Sequence, residues 1–174
     1  MADIPDTLVL KRDRDLEGRT KDIWVRRGLL GLVLALVVLA LLNVFGQRPE
    51  TTSSASSAAT VTVTAPVHLR GGLLWGAHFD VLAHHSLKKA VLVLNKAWLD
   101  NTQINTIEPS PVDETSKDGD LALTLGPITG GHHFDLYMEF QTNPTNVNRR
   151  IRTISLYDGA NLLTTISQTE TVYP

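Results

Sequence analysis

Apolar residues follow two different patterns along this chain. Gly28 to Gly46 form a stretch of nineteen residues, GLLGLVLALVVLALLNVFG, that contains no charged side chain. As a straight helix it would extend about 28 Å, close to the thickness of the hydrocarbon core of a bilayer. Beyond Thr60, apolar residues instead alternate with polar ones in short runs that are broken by Gly, Pro, Asn and Asp. The two patterns predict one transmembrane helix followed by a domain of β-strands.

The alternating part predicts an all-β fold, an Ig-like antiparallel β-sandwich of about seven strands preceded by one transmembrane α-helix. Trp75 is expected in the core, whereas alternation places Tyr137 and His78 on solvated faces. The segment from Lys96 to Asp120 carries two prolines and is expected to be a packed crossover loop. The strands are expected at Val61–Ala65, Leu73–Ala83, Ala90–Asn95, Leu121–Leu125, His133–Gln141, Arg150–Tyr157 and Leu162–Thr171.

Four regions follow from the composition of each segment. Residues 1–27 mix charges of both signs and are expected to be a largely disordered cytoplasmic tail. Residues 28–46 are the transmembrane helix, and residues 47–59 are a Ser/Thr/Ala-rich stalk that would span about 40 Å when fully stretched. Residues 60–174 are expected to form the extracytoplasmic β-sandwich.

Lys and Arg flank the apolar stretch unequally. Seven of them precede it and only Arg48 follows it closely, so the N-terminus is expected in the cytoplasm and the sandwich outside it. The predicted location is the cell membrane, crossed once. A cleavable signal peptide is the alternative, but its apolar region would be longer than is usual. The residues expected to hold the anchor are Trp24, Arg26, Arg27, Leu30, Leu34, Val38, Leu42 and Phe45.

Composition and motifs exclude several classes of function. The chain has no cysteine, which excludes disulfides, thiolate metal sites and a cysteine nucleophile. The net charge of −2 contains no strongly basic segment of the kind that nucleic-acid binding needs. No nucleophile elbow, P-loop or dinucleotide fingerprint is present. We therefore expect no enzyme activity, no cofactor and no small-molecule substrate.

The six histidines all lie beyond Thr60, and four of them form the pairs His84-His85 and His132-His133. The two pairs would be neighbours if their strands aligned. Adjacent residues on a strand point to opposite faces, however, so each pair offers at most one ligand to a shared site. No metal-ligand spacing is present, and we expect surface or turn histidines rather than a metal site.

Charged residues of the outer domain supply a candidate partner surface. The acidic residues of the expected crossover loop either contact a partner or keep an exposed loop soluble. A cluster of three arginines after the Asn143 turn either meets lipid headgroups or an acidic partner, or protects an edge strand. The candidate surface comprises Glu108, Asp113, Glu114, Arg149, Arg150 and Arg152.

Two segments of the outer domain resemble a known group of sequences. They are NTIEPSPVDETSKDGDLALTLG, from Asn105 to Gly126, and FQTNPTNVNRR, from Phe140 to Arg150. Both resemble segments of uncharacterised actinobacterial single-pass membrane proteins with one extracytoplasmic Ig-like β-sandwich, which is similar in turn to the repeated sandwich domains of bacterial surface proteins. The resemblance implies an interaction or accessory role and transfers no site residue.

These observations predict a membrane-anchored, non-catalytic module that binds another membrane or envelope protein, as an accessory subunit of a membrane complex. A module held near the bilayer has a raised effective concentration for its neighbours there. The first alternative is a cell-wall glycan-binding module, for which Trp98 and Tyr137 are the only plausible exposed aromatic platforms. The second is a metal-dependent or carboxylate hydrolase.

Overall fold

The chain forms two compact units, Met1–Phe45 and Gly46–Pro174. The computed structural model describes residues 20–44, 46–117 and 119–174. In these ranges the first unit contributes one α-helix and the second contributes all of the β-strands. The expected tail before residue 20 lies outside the described residues.

Helix α1 comprises Thr20–Leu41, so it begins before the apolar stretch and ends inside it. It ends there because Asn43 adopts a left-handed conformation, with φ of 54°. The N–H of Val44 donates to the carbonyl of Leu39 over 3.1 Å, and the N–H of Asn43 donates to that of Ala40 over 3.0 Å. This pair of bonds is the Schellman arrangement that terminates many helices. The apolar helical run after Arg27 therefore extends about 21 Å, shorter than the stretch predicts.

Within the described part of the chain, one helix is long and apolar enough to cross a membrane. It covers Lys21–Leu41 with a mean hydropathy of 2.1, and none of it is buried against the rest of the protein. A signal sequence near the N-terminus has the same features. The helix thus meets the length and composition requirement for a membrane span or for an export signal.

The predicted anchor residues mostly lie on this helix. Trp24 and Arg27 contact each other, with the guanidinium carbon 5.4 Å from the ring centroid. Leu42 follows the helix in the terminating turn, and Phe45 lies outside the described residues. The side chains of Leu30, Leu34, Val38 and Leu42 are exposed.

The second unit is a two-sheet β-sandwich of Ig-like type, as the sequence predicts. One sheet has the strand order β1-β2-β4-β9-β6 and the other has the order β3-β11-β10-β5-β8-β7. Every pairing is antiparallel except that of β3 with β11. The described residues form eleven strands rather than about seven: β1 Pro49–Ala55, β2 Ala59–Pro66, β3 His68–Arg70, β4 Leu74–Ala83, β5 Leu87–Leu94, β6 Thr102–Glu108, β7 Asp113–Lys117, β8 Asp120–Ile128, β9 His133–Thr142, β10 Asn148–Asp158 and β11 Asn161–Tyr173.

Strand β1 occupies most of the segment that the sequence predicts to be a flexible stalk. All seven of its residues pair with β2 in an unshifted register. Its inward hydroxyls also bond across the sandwich, since Gln168 Nε2 donates to Thr52 Oγ1 over 3.0 Å and the hydroxyls of Ser54 and Thr164 lie 2.7 Å apart. The stalk prediction is wrong for these residues, because their hydroxyl side chains pair within the domain.

The expected crossover loop is also largely regular structure. It contains a short 3-10 helix, Lys96–Trp98, followed by β6 and β7. The pairing of β6 with β9 shifts between Ile104 and Thr106, so an extra residue interrupts the apolar alternation of this strand. The loop prediction is wrong because the bulge removes the period-two signal.

The core lies between the sheets and is centred on four aromatic rings. Trp75 stacks on Phe140 with ring centroids 4.5 Å apart, and Trp98 lies 5.4 Å from Phe79 and 5.7 Å from Phe140. The prediction that Trp75 is a core residue is confirmed. Leu73, expected on the same face, is instead 47% exposed because β4 begins one residue later.

Candidate functional site

The outer face of the five-stranded sheet brings together polar and aromatic side chains from three strands. In the β4–β9 pairing, His78 is opposite Tyr137 and Gly76 is opposite Glu139. In the β6–β9 pairing, Glu108 is opposite Tyr137 on its other side. Because alternate residues of a strand share a face, these side chains all point away from the core.

Tyr137 is the exposed aromatic residue at the centre of this face. Its ring stacks on the imidazole of His78, with centroids 4.3 Å apart and planes inclined by only 5°. His78 is held in turn by Asp135, whose Oδ1 lies 2.7 Å from the imidazole Nε2. The tyrosine side chain remains 55% exposed. The stack covers one face of the Tyr137 ring and holds this half-exposed ring in a fixed orientation.

Gly76 leaves a depression beside this ring. A Cβ at Gly76 would contact no atom nearer than the carbonyl oxygen of Met138, at 3.9 Å. The resulting groove has a volume of about 480 Å³. We call it the Tyr137 groove; the residues that border it on the outer face are Pro49, Thr64, Gly76, His78, Thr106, Glu108, Tyr137 and Glu139. It offers an aromatic ring, three hydroxyls and two carboxylates, a combination suited to binding.

The two histidine pairs are neighbours at the opposite end of β4, but their imidazoles bind different groups. The N–H of Gly131 donates to the carbonyl of Ala83 over 2.7 Å, which joins the two turns. His133 Nδ1 lies 2.8 Å from Asp80 Oδ1, and His84 Nε2 lies 2.9 Å from Thr60 Oγ1. Among the residues that the structure describes, no group of three or more His, Asp or Glu side chains could hold a metal ion.

The predicted partner surface does not form one surface. Glu108 borders the Tyr137 groove, whereas Asp113 and Glu114 lie on β7 at an edge of the other sheet. Arg149 is exposed on β10. These four residues remain available to partners, but they belong to different parts of the sandwich.

Arg150 and Arg152 are internal, so their assignment to a partner surface is wrong. Arg152 is fully buried, with its guanidinium carbon 4.2 Å from the Trp98 ring centroid and its Nη2 donating to the carbonyl of Pro66 over 2.9 Å. Its Nη1 lies 2.8 Å from Glu170 Oε2, an ion-pair contact outside hydrogen-bond geometry. Arg150 binds the other carboxylate oxygen of Glu170, from Nη2 over 2.8 Å. Each points inward because even-numbered residues of β10 face the core.

Burial lowers the pKa of Arg152 to about 10, chiefly because the charged guanidinium is removed from water. The charge of Glu170 opposes this shift and that of Arg150 adds to it. The arrangement is one carboxylate shared by two cations inside the sandwich. It is a structural network, and it explains why Arg150 and Arg152 of the arginine cluster are withdrawn from the surface.

The glycan-platform expectation is wrong for Trp98 and stands for Tyr137. Trp98 is fully buried at the end of the 3-10 helix, inside the segment expected to be a loop. Strand alternation places both His78 and Tyr137 on outer faces, but nothing in the sequence indicates that they pair. The stack depends on the β4–β9 register, which is a property of the assembled sheet.

No protein-family model matches the chain, and no curated protein matches it. Among solved structures it is similar to a non-cellulosomal cohesin from Archaeoglobus fulgidus, with 12% identity, a TM-score of 0.41, and coverage of 73% of this chain and 92% of the cohesin. It is also similar to the CARDB domain of the PF1109 protein from Pyrococcus furiosus, with 12% identity, a TM-score of 0.39 and coverage of 73% and 90%. The GAE domain of GGA2p from Saccharomyces cerevisiae has 11% identity, a TM-score of 0.36 and coverage of 72% and 98%. These likenesses concern the β-sandwich fold alone.

Proposed function

We propose that this chain is a membrane-anchored, non-catalytic binding module whose Tyr137 groove contacts a protein of the same membrane or envelope. The observation that carries the proposal is the half-exposed Tyr137 ring, stacked on His78 in a polar sheet face. Tyrosine is among the residues that contribute most to protein interfaces. A ring already held in place loses little rotamer freedom on binding, which favours affinity.

The charges around the groove define the partner's chemistry. Glu108 and Glu139 both border it. A complementary surface would place Lys or Arg against these carboxylates and an apolar side chain against the Tyr137 ring. This combination would bring the partner's basic residues to the groove and orient them.

The proposed location is the cell membrane, crossed once, with the N-terminus in the cytoplasm and the sandwich outside. Support comes from the apolar helix α1 and from the excess of Lys and Arg before it. An accessory subunit of a membrane complex would have this arrangement. Retention of the intact chain in carbonate-washed membranes tests the anchor, and a shortened soluble chain would count against it.

Photocrosslinking tests the binding surface directly. A photoreactive phenylalanine analogue at position 137 of the full-length chain should capture a membrane or envelope protein, and Tyr137→Ala should lower its co-purification in mild detergent several-fold. Ile151→Ala is the matched control, since Ile151 is 61% exposed on the other sheet. Equal co-purification with both variants would remove the Tyr137 groove from the interface.

A cell-wall glycan is the second candidate ligand, and the stacked Tyr137–His78 pair favours it specifically. The apolar face of a sugar ring packs on a flat aromatic surface, while carboxylates accept hydrogen bonds from sugar hydroxyls. Sedimentation with purified wall material should then be lost in Tyr137→Ala and kept in Ile151→Ala. Failure of the unmodified chain to sediment would exclude this ligand.

A further inference from the structure

One end of the β-sandwich carries a concentration of exposed apolar side chains. Leu73 is 47% exposed, Leu74 53%, Val147 58% and Tyr173 49%. They belong to three separate segments of the chain: the start of β4 with the residue before it, the turn before β10, and the end of β11. Large side chains exposed together on a folded domain commonly mark a contact with another surface.

Backbone hydrogen bonds bring these three segments together. The N–H of Gly71 donates to the carbonyl of Tyr173 over 2.9 Å, and the N–H of Thr142 donates to that of Leu73 over 3.2 Å. In the β10–β11 pairing Asn148 is opposite Val172, which places Val147 beside Tyr173. We call this set, Leu73, Leu74, Val147 and Tyr173, the apolar end.

The apolar end is also where the chain enters the sandwich. The first residue of β1, Pro49, is opposite Pro66, and the carbonyl of the next residue, Val67, accepts from the N–H of Thr171 over 2.8 Å. Seven residues separate Leu41, the end of α1, from Pro49. Even fully extended, they reach about 25 Å at most. The chain thus enters the sandwich at the end with exposed apolar side chains.

We infer that the apolar end lies in the headgroup layer of the bilayer, with its leucines and Val147 inserted below the phosphates. Tyrosine is enriched at this depth, and small apolar insertions bind interfaces in proportion to the area they bury. The exposed Arg70 and Arg149 are on strands that end here, and each is suited to a lipid phosphate.

The acidic residues near this end leave that attraction in place. Asp100 is already paired with Arg150, with 3.5 Å between Oδ2 and Nη1, and the exposed Glu50 and Glu139 lie on strands of the other sheet from Arg70 and Arg149. The docking of this end on lipid rests on the proposed membrane anchor. It goes beyond that proposal by giving the sandwich a defined orientation, with one end on the lipid.

Because the chain has no cysteine, single-cysteine variants give one label each. We would attach an environment-sensitive fluorophore to each of three full-length variants, Leu73→Cys, Val147→Cys and Leu162→Cys. Each variant is placed in nanodiscs of phosphatidylglycerol and phosphatidylcholine. Spin labels on the lipid headgroups quench a fluorophore that lies in the headgroup layer. Leu162 is the matched control, since it is 57% exposed and pairs with Tyr157 at the far end of β11. We expect quenching at positions 73 and 147 to exceed that at 162 several-fold. Nanodiscs of phosphatidylcholine alone contain no anionic lipid for the arginines to bind. We expect weaker quenching at positions 73 and 147 in these nanodiscs.

Three other results would overturn the inference. Equal, weak quenching at all three positions in a chain that survives a carbonate wash would overturn docking and leave the anchor intact. A chain that the wash removes would overturn both proposals. The same cysteine variants can carry spin labels on the protein instead of fluorophores. Coupling between spin labels on different chains at positions 73 and 147, without fluorophore quenching by lipid, would identify a second copy of the chain as the occupant.

Discussion

At the scale of single residues, Arg152 is a charged side chain that is fully buried. Its charge is removed from water and balanced by one shared carboxylate, Glu170, which is also fully buried. The lowered pKa belongs to the folded state, so the cost of burying this charge is fully present below about pH 10. That cost is removed only as the pH rises through about 10 towards the higher, ordinary pKa of an arginine side chain.

Glu170→Gln should therefore destabilise the sandwich strongly. It leaves the charges of Arg150 and Arg152 together without their carboxylate, and an uncompensated buried charge costs about 3–5 kcal/mol. Urea unfolding of the outer domain measures the loss. Arg149→Gln, at an exposed position on the same strand, is the control and should change stability by less than about 0.5 kcal/mol. Similar losses for the two variants would show that the network is not a source of stability.

Gly76→Ala should stabilise the fold while partly filling the Tyr137 groove. A glycine within a strand costs about 0.5–1 kcal/mol relative to alanine, and the new Cβ has room, with its nearest neighbour at 3.9 Å. Thermal unfolding measures the gain. Gly126→Ala is the contrasting control, because Gly126 has φ of 90° and its Cβ would lie 3.3 Å from Val112, so we expect a loss. Destabilisation by Gly76→Ala would contradict the open groove.

At the scale of elements, β1 shows how a polar strand is stabilised. Its seven residues include no large apolar side chain, so pairing with β2 and the hydroxyl bonds of Thr52 and Ser54 hold it. A chain that begins at Ser56 should be less stable than one that begins at Pro49 by about 2–4 kcal/mol, since each net hydrogen bond contributes about 1 kcal/mol.

Native-state proteolysis provides a second measurement of β1. A flexible stalk would be cut between Pro49 and Ala55 much faster than the sandwich unfolds, whereas a paired strand is cut only on opening. Rapid cleavage there, together with equal stability of the two shortened chains, would restore the stalk interpretation.

The elements that the sequence reveals are those that bury alternating apolar side chains. β4, β9 and β10 lie close to their expected bounds because each contributes alternate residues to the core. β1 and β7 contain no large apolar residues, and a bulge interrupts β6, so composition gives no signal for them. For the same reason, the sequence predicts only part of the candidate site. Alternation exposes Tyr137, but only the register supplies His78 as its neighbour.

At the scale of the whole molecule, the position of α1 before the sandwich predicts topology. With the N-terminus inside, a cysteine introduced as Ala160→Cys, in the hairpin between β10 and β11, should react with a membrane-impermeant maleimide added to intact cells. A cysteine introduced as Ala2→Cys should react only after the cells are opened. The reverse pattern would overturn the proposed orientation. Because the chain has no native cysteine, the background should be low.

Strand β11 also decides when the sandwich can close. It is the last described strand to be synthesised, yet it carries Glu170 and pairs with β3, about a hundred residues earlier. Until it emerges, Arg150 and Arg152 lack the carboxylate that allows them to be buried. Long-range pairing of this kind is slow to form. We expect a chain synthesised only as far as β10 to be protease-sensitive, and a chain that includes β11 to be protease-resistant.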